Sequence, residues 1–212
     1  MLKKIFDKEK AMKHAPENKH YADIYESWFE TKRYTVKNLL EIGVHKGGAL
    51  RAWLKYFPIA TVYGVDIKDK FDRDKPFDRN RLHFAVGDQT DKTFMLNLYD
   101  DIEFDVIIDD ASHQVDHQWD TFNFMFQRVK KGGVYIVEDI HSSYWPDYKG
   151  GFGKPGTFIE KAKQLADYPN YKAYKKMDDR ATHQLIESKP TWMEKNVKSV
   201  VFTQGMCFIE RR

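Results

Sequence analysis

The residues best suited to chemistry fall in two acid-rich clusters, Asp109-Asp110-Ala111-Ser112-His113 and Glu138-Asp139, each directly after a short apolar run. Carboxylates gathered without a counter-charge are costly, so they call for a cation. An all-oxygen set of Asp110, Glu138 and Asp139, with no cysteine and no paired histidine, suits Mg²⁺, or Mn²⁺ or Ca²⁺, rather than zinc. His113, three residues beyond Asp110, is spaced to share that crevice without being a ligand, and histidine is the natural general base near neutral pH. His117 and His141 compete for that role. The plainer reading of the acids, and the preferred one for Ser112, is that they cap the helices that follow.

A second constellation lies upstream in Leu39-Leu-Glu-Ile-Gly-Val-His-Lys-Gly-Gly48, a strand running into a glycine turn and a helix. In an open α/β sheet, the turn after the first strand is where a nucleotide-like ligand sits, and Gly43 and Gly47 let the backbone approach it. Glu41, two residues before Gly43, would repel a pyrophosphate but suits an ammonium or sulfonium group. That favours S-adenosylmethionine over NAD. Asp66 follows Val-Tyr-Gly-Val and is placed to accept the ribose hydroxyls of an adenosine. Asp88 and Gln89, at the end of a third strand, are placed to reach the adenine edge. Asp109, at the fourth strand end, completes the expected cofactor contacts.

These residues need a scaffold that brings several strand ends together, and the apolar runs supply one. Strands are expected at Asn38–Gly43, Thr61–Asp66, Leu82–Val86, Phe104–Asp109 and Gly133–Glu138, with helices at Gly47–Tyr56, Asp91–Tyr99 and Val115–Val129 between them. Trp119, Phe122, Phe126 and Val129 give the last helix one apolar face. Such alternation implies a parallel sheet covered on both faces, with right-handed crossovers. Before the first strand, Tyr21, Ile24, Tyr25, Trp28 and Phe29 recur at helical spacing. After the fifth comes a polar stretch with one helix at Thr157–Tyr168. Val197–Thr203 and Met206–Glu210, around Gln204-Gly205, read as a β-hairpin. The expected fold class is therefore α/β: a Rossmann-like, doubly wound, seven-stranded sheet, mostly parallel with an antiparallel C-terminal hairpin. Residues 1–212 are read as a single domain: an N-terminal helical segment over 1–33, a cofactor-binding core over 34–145, a lid for an acceptor over 146–195 and the hairpin over 196–212. The basic stretch Lys68–Arg81 reads as a solvated loop.

Composition narrows the function classes. The chain has 212 residues, 42% hydrophobic and 15% aromatic, enough for a substantial core rather than a disordered chain. Lys and Arg number 35 against 32 Asp and Glu, a formal net charge of +3, which argues against a nucleic-acid backbone as the main partner. One cysteine, Cys207, leaves no intrachain disulfide and fits a reducing compartment. No apolar run is long enough for a transmembrane helix, and the N-terminus lacks the apolar stretch of a secretory signal. A cytoplasmic protein without membrane partners is expected. A homo-oligomer remains open.

With these residues in place, the sequence resembles the class I S-adenosylmethionine-dependent methyltransferases. More narrowly, it resembles the Mg²⁺-dependent sugar O-methyltransferases of the macrocin and mycinamicin type. The resemblance covers about residues 20 to 165 and rests on LLEIGVHKGGALRAW, TVYGVDI, VGDQTD, FDVIIDDASH and KKGGVYIVEDIHSSYWP, together with the closing hairpin. It implies S-adenosylmethionine and Mg²⁺ (or Mn²⁺) as cofactors, with Asp110, Glu138 and Asp139 as metal ligands and His113 as the base. The implied reaction is O-methylation of a hydroxyl on a sugar or glycosylated small molecule. Two departures stand out: Ala111 where family members often carry glycine, and a different segment over Met1 to Lys19. The alternatives are a metal-dependent methyltransferase of a catechol or phenolic diol, and a non-catalytic nucleotide-binding module.

Overall fold

The short apolar runs form strands whose side chains alternate between two buried faces. A computed structural model describes residues 1–14, 19–99, 101–175 and 189–212. Its strands are β1 (Asn38–Ile42), β2 (Thr61–Asp66), β3 (Leu82–Val86), β4 (Phe104–Asp109), β5 (Val129–Val137), β6 (Val197–Thr203) and β7 (Met206–Arg211). They form one sheet in the order β3-β2-β1-β4-β5-β7-β6, parallel from β3 through β5, with β7 antiparallel to both β5 and β6. The expected mixed, doubly wound sheet and its closing hairpin are both present.

Strand periodicity divides the core in two. Leu39, Val62, Val106, Ile108, Val134, Ile136 and Phe208 face one layer. That layer contains α1 (Leu2–Glu9), α2 (Lys19–Phe29) and α3 (Gly48–Tyr56). Aromatic rings lock it together: Phe6 meets Trp53 edge-on at 4.9 Å, and Trp28 stacks on Phe208 at 4.4 Å. Leu40, Tyr63, Ile107, Tyr135, Cys207 and Ile209 face the other layer. There α4 (Lys92–Asn97), α5 (Val115–Met125) and α6 (Phe158–Gln164) supply the cover.

The structure corrects several boundaries. Helix α1 is an addition: the lysine-rich N-terminus hides the apolar face of Leu2 and Phe6, both fully buried. Helix α5 stops at Met125 and passes through a 3-10 turn over Phe126–Arg128, so β5 begins earlier than expected, at Val129. Helix α6 gives way at Leu165 to a 3-10 turn containing Pro169, which has no N–H to continue the helix. Within the stretch read as a lid, Phe158, Ile159, Ala162 and Leu165 are buried in the second core, whereas Phe152 stands exposed. The part of that stretch over 176–188 lies outside the described residues. The 68–81 loop is less solvated than expected, because Phe71 is buried against Phe77 and Phe84. Among the described residues, no helix is long and apolar enough to cross a membrane.

What matters for function is the reversal at β1. Its neighbours are β2 on one side and β4 on the other, so the connections leave in opposite directions and open a crevice above the carboxyl ends of the strands.

Candidate active site

The crevice has a volume of about 1210 Å³ and is lined from the ends of β1, β2, β3, β4 and β5 and from the segment between α1 and α2. At the β1 end, Gly43 has φ 91°, and an added Cβ would lie 2.0 Å from the Asp110 carbonyl oxygen. Only glycine lets the β1 and β4 loops close together here. Gly47 has φ 75° and faces the Phe71 ring, which an added Cβ would overlap at 2.3 Å. The two glycines thus shape the turn against protein neighbours.

Asp66 organises this turn. Its Oδ2 accepts hydrogen bonds from the backbone N–H of Val44 (2.9 Å) and His45 (2.8 Å), and its Oδ1 accepts one from Lys68 N–H (2.9 Å). A carboxylate has about four lone-pair sites, so it retains capacity for a ligand hydroxyl. Asp88 is exposed at the rim and accepts from Thr90 N–H and Oγ1, which holds its carboxyl below the usual range. Ile67, directly after Asp66, presents an exposed apolar side chain to the crevice.

Gln89 and Asp109 sit deeper than the sequence suggests. Gln89 is buried, donates to Asp109 Oδ1 (3.3 Å) and Thr121 Oγ1 (3.1 Å), and accepts from Ser112 N–H (3.0 Å). Its amide is a strut between the β3 and β4 loops. Asp109 does not line the crevice. It faces the second core, takes a hydrogen bond from Tyr135 Oη (3.3 Å), and burial pushes its carboxyl up to about 7.

The acids expected around one cation form two groups that share Asp110. On the open side, Asp110, His113 and Asp139 offer ligand atoms within 4.8 Å of one another; His113 Nε2 lies 3.6 Å from Asp139 Oδ2 and 4.0 Å from Asp110 Oδ1. On the buried side, Asp110 meets Glu41 and Glu138, and the Lys13 ammonium stands among all three. Its Nζ is 2.9 Å from Glu41 Oε1 and 2.8 Å from Asp110 Oδ2, and it also donates to Glu138 Oε1. Tyr25 Oη donates to the same Glu138 oxygen, and Tyr21 Oη donates to Asp139 Oδ1 at 2.7 Å.

Charges this deep are costly unless paired. Burial works against the Lys13 charge, but Asp110, Glu138 and Glu41 around it raise its pKa well above that of an ordinary lysine. Burial raises the Glu41 and Glu138 carboxyls, and the Lys13 charge pulls both back. Glu138 is therefore held on the buried side by Lys13 and Tyr25, where it stays near Asp110 but apart from Asp139. The carboxylate oxygens of Asp110 and Asp139 on the open side fit a hard divalent cation.

His113 carries strain: its φ is 56°, and that of Asp139 across the crevice is 51°. Non-glycine residues in this region cost about 1–3 kcal/mol each and cluster at functional sites. The Nδ1 of His113 is buried with no hydrogen-bond partner among the described residues, so Nε2 is the atom presented to the crevice acids. His117 is bound through Nδ1 to Ser112 Oγ (2.9 Å), and His141 packs against Trp145. Ser112 does not cap α5. That helix begins after Gln114 without a side-chain cap bond.

Sequence reasoning missed Lys13, Tyr21 and Tyr25. The two tyrosines had a signal, since they belong to the recognised apolar face of α2. Lys13 had none beyond its charge.

Comparisons with known proteins agree with this architecture. No protein-family model matches the chain. It is 34% identical over 201 residues to 8-demethyl-8-alpha-L-rhamnosyl tetracenomycin-C 2'-O-methyltransferase of Streptomyces olivaceus, covering 91% of this chain and 50% of that protein. It is 31% identical over 199 residues to mycinamicin VI 2''-O-methyltransferase of Micromonospora griseorubida, covering 88% and 47%. The solved structure of the MycE methyltransferase from the mycinamycin biosynthetic pathway, in complex with Mg, SAH and mycinamycin VI, superposes with a TM-score of 0.83 at 28% identity, covering 99% of this chain and 53% of that one. The chain spans about half the length of the curated relatives it matches. By sequence and by fold, the chain is similar to these sugar O-methyltransferases over about half of their length.

Proposed function

We propose that the chain is an S-adenosylmethionine-dependent, metal-assisted O-methyltransferase acting on a hydroxyl of a sugar or glycosylated small molecule. One observation carries the reading: the glycine turn with Asp66 and the Asp110–His113–Asp139 group open into the same crevice at the strand-order reversal. The relatives' names and the Mg, SAH and mycinamycin VI of the MycE complex support it.

In this reading Gly43, Gly47, Asp66 and Asp88 form the cofactor end, with Asp66 receiving ribose hydroxyls and Ile67 flanking the base. Glu41 sets a negative potential beneath the sulfonium. Gln89 and Asp109, both committed to protein partners, hold the cofactor wall in place. Asp110 and Asp139 would hold the divalent cation, with Glu138 joining them from the Lys13 side. When bound, that cation acidifies an acceptor hydroxyl, and S-adenosylmethionine supplies the methyl. His113 accepts the hydroxyl proton at Nε2, and the crevice holds acceptor and methyl donor in line. The segment after Trp145, including residues 150–153 and 154–156, would close over the acceptor, with Trp145 lining the crevice beside it.

The test is methyl transfer from S-adenosylmethionine to a panel of glycosides and catechols, followed by mass spectrometry with Mg²⁺ or with EDTA. Methylated glycoside with Mg²⁺, lost in EDTA, is expected. Transfer to catechols alone moves the acceptor class. Transfer unaffected by EDTA makes the acid cluster structural.

A further inference from the structure

The least expected feature of the site is a lysine. Lys13, 1% exposed, lies in the short 3-10 turn Met12–His14 after α1, and no local pattern marks it. Yet its ammonium contacts one carboxylate from β1 (Glu41), one from the β4 loop (Asp110) and one from the β5 end (Glu138).

Asp110 divides its two oxygens between the groups. Oδ2 points to Lys13, and Oδ1 points to the open side with His113 and Asp139. Glu138 is held on the Lys13 side by both Lys13 and Tyr25. Any cation entering beside Asp110 and Asp139 therefore meets a fixed positive charge one carboxylate away, and draws on carboxylates that the ammonium already uses.

We propose that Lys13 is a positioning residue that acts as the site's own internal cation. It fixes Glu41, Asp110 and Glu138 while no metal is bound, and it competes with a divalent cation for Asp110 and Glu138. The inference rests on the metal reading above. It goes beyond that reading in making metal affinity depend on a residue of the N-terminal segment that would not itself be a ligand.

The sign of the effect follows from charge. Replacing the ammonium with an apolar side chain leaves three carboxylates with no cation, which weakens the metal-free protein and strengthens attraction for a divalent ion. A lysine serving only as a fold anchor would lower stability equally with and without metal. It would leave metal affinity unchanged.

The experiment titrates MgCl₂ by calorimetry into wild type, Lys13→Met and Lys13→Arg, each saturated with S-adenosylhomocysteine. Lys13→Met is expected to bind Mg²⁺ roughly tenfold more tightly, the scale of removing one nearby like charge in a partly buried site. It should also show a larger Mg²⁺-induced rise in melting temperature. Lys13→Arg, which keeps the charge, should stay near wild type. Equal or weaker Mg²⁺ binding by Lys13→Met overturns the role of Lys13 while leaving the metal reading standing. No Mg²⁺ binding by any of the three removes the metal reading and this inference with it. Should Lys13→Met fail to fold, Lys13→Gln, which loses the charge and keeps an amide donor, decides by the same titration: tighter Mg²⁺ binding than wild type is expected, and equal or weaker binding contradicts the proposal.

Discussion

The two ends of the crevice are built by different means. At the cofactor end, Asp66 is fixed by backbone N–H groups of a turn 21 and 22 residues away, and that turn belongs to the adjacent β1. At the acid end, Glu138 and Asp139 are fixed by side chains of the N-terminal segment, over separations of 125 residues for Lys13, 113 for Tyr25 and 118 for Tyr21. The first end is a loop motif whose carboxylate is fixed within the β1–β2 pair, although the start of α3 packs on the end of α1. The second exists only when α1 and α2 have docked on the sheet. A change in the N-terminal segment should therefore act on the acid end and spare the cofactor end, and a change in the glycine turn should do the reverse.

The largest effect expected from separating the ends is kinetic. His113→Ala should lower turnover by roughly 10²–10⁴-fold, the usual loss on removing a positioned general base, with Mg²⁺ and S-adenosylhomocysteine affinities near wild type. Calorimetry and initial rates on an acceptor from the panel check it. Loss of metal binding in that variant would make His113 a ligand and move the base to His117 or His141.

Next comes the cofactor end alone. Asp66→Ala removes the acceptor of two turn N–H bonds and the proposed ribose contact. Hydrogen bonds to a charged group contribute about 1.5–3 kcal/mol, so S-adenosylhomocysteine should bind roughly tenfold to a hundredfold more weakly, with Mg²⁺ affinity unchanged. A matching fall in Mg²⁺ affinity would erase the distinction between the two ends.

The converse variant is Tyr25→Phe. It deletes one donor to the buried Glu138 and keeps the ring that packs on Trp53 and Phe29. Chemical denaturation should show a loss of about 1–3 kcal/mol, with S-adenosylhomocysteine affinity unaltered. The smallest effect belongs to Asp91→Ala. Asp91 caps α4 by accepting from Phe94 N–H at 2.9 Å, so the cost should be about 1 kcal/mol in stability, with neither affinity changed.

The same contrast explains what was legible in the sequence. The strands, the hairpin and the glycine turn are readable because near-continuous apolar runs and glycine spacing are local signals. The α1 helix is not, since its few buried side chains are interleaved with lysines. The misplacement of Asp109 is instructive. Strand periodicity puts Asp109 on the same face as Ile107, toward the second core, and only Asp110, just past the strand, turns into the crevice. Expecting Asp109 to contact the cofactor overlooks that alternation. Lys13 was out of reach, because one lysine among 35 basic residues carries no mark of the three carboxylates that the fold brings to it.

The most direct measurement is a crystal structure of the protein grown with S-adenosylhomocysteine and Mn²⁺, with anomalous data collected at the manganese edge. The predicted result is one anomalous peak about 2.0–2.2 Å from carboxylate oxygens of Asp110 and Asp139, beside His113. S-adenosylhomocysteine should lie along the β1–β2 end with its ribose on Asp66. A filled cofactor end with no anomalous peak at these carboxylates, or S-adenosylhomocysteine bound away from the glycine turn, would contradict a metal-assisted methyltransferase site in this crevice.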